Sequence, residues 1–166
     1  MSLALTYAEG LLFLPFVAPI CLWVIYSDLS TMKITNMSNL ALLVIFVGLG
    51  LFVLPIEAYG WRLAQFAIVL VIGIVANAMG VMGAGDSKFL AAAAPFVAPG
   101  DGIDILLMLG GVTIVAVIAH RIVKNTSLRQ MAPDWVSWSR PGKFPMGLAL
   151  GSTLILYLAL GVVQGT

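Results

Sequence analysis

The chain has 166 residues, 61% of them hydrophobic and only 9% charged, with a formal net charge of +1. A soluble domain is about one-quarter charged, so this composition points to a polytopic membrane protein without a sizeable extramembrane domain. The near-neutral balance argues against nucleic-acid binding, and one cysteine, Cys21, excludes an internal disulfide or a cysteine-built zinc site.

In chain order, apolar runs bounded by charges, Gly and Pro predict six spans: Leu11–Ser27, Met37–Ile56, Leu63–Met82, Val81–Pro99, Ile103–Val123 and Phe144–Val163. The first positive charge is Lys33, so the first run lacks a basic flank ahead of it and is predicted to be a retained helix, not a signal peptide. It ends in Tyr26–Asn36, "YSDLSTMKITN". The third carries Asn77, expected to hydrogen-bond across helices. It abuts the fourth at Gly80–Phe96, "GVMGAGDSKFLAAAAPF". The fifth ends near His120, a lone histidine without the partners a metal site needs. Leu128, Met131, Trp135 and Trp138 then recur at spacings of three, four and three, which predicts a segment lying along the membrane surface, interrupted by Pro133.

Lys33, Lys88, Arg121, Lys124, Arg129, Arg140 and Lys143 follow the first, third and fifth spans. The opposite side holds only Arg62, beside Glu57, Asp101 and Asp104. The basic side is therefore expected to be cytoplasmic, with both termini extracytoplasmic. Asp28 and Asp86 then share the cytoplasmic half, out of reach of Glu9, Glu57, Asp101 and Asp104.

Only 12 residues run from Lys88 to Pro99, too few to cross the hydrocarbon as a helix rising about 1.5 Å per residue. The fourth span is thus expected to start near Val81 and to carry Asp86 below the interface. An ionised side chain there is costly unless it is paired or wetted. Gly80, Gly83 and Gly85 weaken a helix by about 1 kcal/mol each and allow backbone angles that other residues forbid. Two readings stay open on these residues alone. Asp86 belongs to a site facing a cavity, or the glycines serve tight packing and Asp86 bonds to Asn77. A phosphate-binding loop fits poorly, since the spacer is too short and no strand precedes it. Asp28 alone reads equally well as a solvated loop acid.

Together the segments resemble type IV prepilin peptidases, intramembrane aspartic proteases of the GxGD group. Asp28 with Ile34-Thr35-Asn36 is similar to the family's Asp followed by Ile-Pro-Asn. Gly83-Ala84-Gly85-Asp86-Ser87-Lys88 is similar to its Gly-x-Gly-Asp-x-Lys. Phe144-Pro145-Met146-Gly147-Leu148-Ala149 is similar to its Pro-x-Gly-x-Ala. Thr35 departs from the usual proline, which implies a less rigid loop. With one cysteine and no cytoplasmic insertion, the chain resembles the short, peptidase-only form of Flp/Tad pilus systems, without a methyltransferase domain.

The resemblance implies one all-α integral-membrane peptidase domain over residues 1–166, multi-pass in the bacterial inner membrane. Asp28 and Asp86 would be catalytic, with Gly83, Gly85, Lys88, Asn36, Pro145 and Gly147 in support, and with no cofactor or metal. Substrates would be prepilins or pseudopilins, cut at the cytoplasmic face behind a basic leader. Two close carboxylates sharing a proton can supply both the base that activates water and the acid that protonates the leaving nitrogen. Lys88 either snorkels to the headgroups or holds a positive potential near the pair. The residues without the resemblance also suit a proton-coupled transporter or a secretion-complex membrane subunit.

Overall fold

Side-chain caps set the starts of two α-helices. Thr6 begins α1 (Tyr7–Thr31) with a reciprocal pair: its hydroxyl accepts the Glu9 amide at 3.2 Å, and the Glu9 carboxylate accepts the Thr6 amide at 2.8 Å. Thr35 begins α2 (Asn36–Val53), its hydroxyl accepting the Ser38 amide at 3.2 Å. A proline at that position could not supply this bond, so the departure from the family pattern provides a cap. Thr35→Ala should lower stability by about 1 kcal/mol, measured by thermal unfolding in detergent.

The computed structural model describes residues 3–140 and 142–165. Its remaining helices are α3 (Ile56–Ala78), α4 (Ala84–Ala93), α5 (Gly102–Lys124) and α6 (Met146–Gln164), and the described residues contain no strand. Five helices, all but α4, are long and apolar enough to cross a membrane. The chain is an all-helical polytopic membrane protein.

The fourth crossing differs from the expected continuous span. It does not begin near Val81, because Gly80 takes the left-handed φ of 71° and Gly83 is extended. Asn77 donates to the Met82 carbonyl at 2.9 Å, closing this turn locally and not bridging helices as expected. α4 lasts 10 residues and gives way at Pro95 to a 3₁₀ turn, Ala94–Phe96, then to an extended link and a second turn, Pro99–Asp101. These forms rise about 2.0 to 3.3 Å per residue against 1.5 Å for an α-helix, which is how so short a segment traverses the bundle. Its start packs on Ile34, just beyond α1, while Asp101 at its finish accepts the amides of Ala4 and Leu5, just before α1, at 2.7 and 3.0 Å.

α1 and α6 form the main helix pair. Gly10 lets α1 approach the α6 backbone so closely that a Cβ there would lie 2.9 Å from the Leu158 carbonyl. The core continues through Phe13, Phe46 and Phe96. Phe96 stands edge-on to the other two rings at centroid distances of 5.0 and 5.4 Å, which pins the break after α4.

Opposite the basic end, a buried polar network holds the finish of that broken crossing. Arg62 pairs with Glu9 at 2.6 Å and donates to the Pro95 carbonyl at 3.0 Å. Tyr157 donates to Asp101 at 2.6 Å and accepts the Ala98 amide at 3.0 Å. The break leaves carbonyls and amides without helical partners, and Arg62 and Tyr157 satisfy two of them.

The segment between α5 and α6, expected to lie along the membrane surface with a break at Pro133, contains no α-helix among its described residues. It forms two 3₁₀ turns, Ser127–Met131 and Val136–Trp138. Trp138 is buried, stacked on His120 at 4.8 Å, so it packs onto the bundle and is not a headgroup anchor.

Candidate active site

Asp28 lies in the last turn of α1, buried against the start of α6. Its carboxylate accepts the Gly147 amide at 2.6 Å. The helix N-terminus favours negative charge, and its first amides lack internal partners, so α6 is aimed at Asp28. Pro145 begins α6 without an amide of its own to satisfy. At Gly147 a Cβ would sit 2.8 Å from the Asp28 Cβ and 2.9 Å from its Oδ2, so only glycine lets the two helices meet here. Gly147→Ala should displace the carboxylate and lower any activity that depends on it about a hundredfold while the protein still inserts, read as initial rates at equal membrane content.

Asp86 sits in the first turn of α4, half-buried. Its carboxylate folds back over Gly83, where a Cβ would lie 2.7 Å from Asp86 Oδ2. Ile34, from the link after α1, packs on Gly85 at 3.4 Å from where a Cβ would stand. Lys88, two residues beyond Asp86 on α4, donates to Asn36 Oδ1 at 3.0 Å. The two sequence elements that carry the acids therefore touch at Ile34–Gly85 and at Asn36–Lys88.

Both acids line one cavity of about 490 Å³. Met32, Ile34, Gly83, Gly85, Phe144 and Met146 also line it. The sequence analysis missed two lining residues. Lys33 and Lys143 serve in the sequence reading only as orientation charges, yet both border the cavity, so two basic residues share its lining with the two acids. The available signal was their position: Lys33 follows Asp28 by five residues and Lys143 precedes Gly147 by four. Lys88 is not part of the cavity lining and reaches from α4 to Asn36 of α2. His120 is held away from it, between Trp138 and Phe144, with centroids 4.8 and 5.8 Å distant.

Fold and site together define a multi-pass membrane protein built around a carboxylate-lined cavity. Residues 15–120 match the family described as the type IV leader peptidase family, and the chain belongs to that family. It is a peptidase whose family acts on prepilins, and the matched stretch contains both Asp28 and Asp86. No curated protein and no solved structure matches the chain.

Proposed function

We propose that the protein is an aspartic endopeptidase that removes the basic leader of Flp-like prepilins at the cytoplasmic face of the bacterial inner membrane. The observation that carries this reading is the shared cavity, reached by Asp28 from α1 and by Asp86 from α4. One carboxylate takes a proton from water as the oxygen attacks the scissile carbonyl carbon. The other carboxyl, protonated, first hydrogen-bonds the carbonyl oxygen. Proton transfer to the amide nitrogen then lets the C–N bond break, leaving a new carboxyl and a new amine. Neither acid is assigned a fixed part, since the shared proton belongs to the pair.

Co-expression with a Flp-like prepilin should yield the shortened pilin, seen as a mobility shift and a new N-terminus. A precursor left uncut by the wild-type protein would remove the peptidase reading, and proton-dependent solute uptake in its place would favour the transporter. Topology is tested separately. A reporter fused beyond α6 should be active only outside the cytoplasm, because seven of the eight basic residues lie at the other end. Activity confined to the cytoplasm would invert the bundle and put the cavity on the wrong face.

A further inference from the structure

The early end of α4 leaves a gap in the side of the bundle. An apolar groove of about 310 Å³ lies there. Gln65 and Val69 of α3 form one wall, and Ile105, Leu106 and Leu109 of α5 the other. Its floor is Phe89, Leu90 and Ala93 of α4 with Leu150 and Leu154 of α6. Leu106 is 67% exposed, so the groove opens sideways, where lipid would lie.

Helix register links this groove to the cavity. On α4, Asp86, Phe89, Leu90 and Ala93 fall at i, i+3, i+4 and i+7, which is a single face. On α6, Gly147, Leu150 and Leu154 fall at i, i+3 and i+7, again a single face. The faces that present Asp86 and cradle Asp28 thus continue as the groove floor. The seven residues from Asp86 to Ala93 cover about 10 Å, so the groove begins within the first turns beyond the acids.

The track also extends the other way. A second cavity, about 590 Å³, shares Gln65 and is bordered by Trp61, Pro55 and Pro99 at the far end. Trp61, Gln65 and Val69 are spaced by four along α3, so they mark one stripe. A track running from the acids to the far end matches an apolar segment that crosses the whole bilayer. A lipid acyl chain occupies one leaflet and has no reason to lead into a carboxylate cavity. The groove is too small to enclose a helix and suits a row of its side chains, the rest remaining in lipid.

We infer that the groove between α3 and α5 seats the apolar helix of the substrate and leads its N-terminal end to Asp28 and Asp86. This rests on the leader-peptidase reading above and adds where the substrate lies. The probe is a synthetic precursor with a lysine-containing leader, a scissile glycine and an apolar helix of about 20 residues, reconstituted in vesicles. A photo-reactive amino acid is placed at Val69 or Leu109, and, for comparison, at Val44 or Phe52, exposed on α2. The host is the full-length Asp86→Asn chain, so that bound precursor is not consumed. Cross-links to the precursor's helix from Val69 and Leu109, but not from Val44 and Phe52, are expected. Equal cross-linking at all four, or lipid adducts alone in the groove, would overturn the inference.

A kinetic arm uses Val69→Trp and Leu109→Trp to fill the groove. The preference for the precursor over a soluble peptide spanning the same cut, as a ratio of kcat/KM, should fall roughly tenfold. An unchanged ratio, or the same fall with Val44→Trp on α2, counts against the groove. Wild-type protein that cuts neither probe defeats the peptidase reading instead, and the cross-links, which need no turnover, still decide where the helix lies.

Discussion

Asp28→Asn and Asp86→Asn should each reduce leader removal by at least about a thousandfold while the protein still inserts in the membrane. An amide at either position can neither take the proton from water nor return one to the leaving nitrogen, so one surviving carboxyl has no partner to complete the exchange. The double variant should be hardly worse than either single one, because the residues act as a unit. The measurement is the fraction of prepilin processed over time at matched membrane content. Asp104→Asn, at the opposite end of the chain's charge pattern, is the control and should leave processing intact. Substantial cleavage by either single variant would remove the two-carboxyl mechanism. Asn at position 28 keeps an acceptor for the Gly147 amide, so loss of activity there reports chemistry more than displacement.

Arg62→Met should cost about 3–5 kcal/mol of stability, although Arg62 lies at the end away from both acids. Arg62 is 3% exposed, and its partner Glu9 is 2% exposed. Removing the guanidinium strands a buried carboxylate and leaves the Pro95 carbonyl without its donor. Glu9→Gln added to Arg62→Met should recover much of the loss, since glutamine removes the unpaired charge yet can still reach back to Thr6. Unfolding monitored in detergent reads both variants. A shift below about 1 kcal/mol for Arg62→Met alone would show that water or another cation replaces it.

The acids were legible in the sequence because a charge in an oily run is costly wherever the chain folds. The same cost explains why the seven-to-one division of basic residues paired Asp28 with Asp86 and excluded Glu9 and Asp101. Pro145 and Gly147 came from resemblance alone. Their use appeared only when the α6 amide was seen at Asp28, because no local pattern reveals that two residues 119 positions apart must touch. The same holds for Asn36 and Lys88, which are 52 positions apart.

Two expectations failed because they extended a local pattern past what backbone and packing allowed. The spacing from Leu128 to Trp138 predicted a surface segment interrupted by Pro133, with its Trp at the interface, but the segment folds as two 3₁₀ turns and Trp138 is buried, stacked on His120. Val81 lies in an apolar run, yet the left-handed Gly80 and extended Gly83 on either side keep it out of α4.

Composition and charge by themselves determined that this is a membrane-embedded helical protein with two acids toward its basic end, since bilayer length and the cost of buried charge act on residues in one dimension. The tertiary structure decided what surrounds those acids. Lys33 and Lys143 border the cavity, Gly147 makes room for Asp28, and α4 stops short and leaves a groove beside it. Each of these depends on which distant backbone or side chain arrives at a point in space, and helix packing sets that.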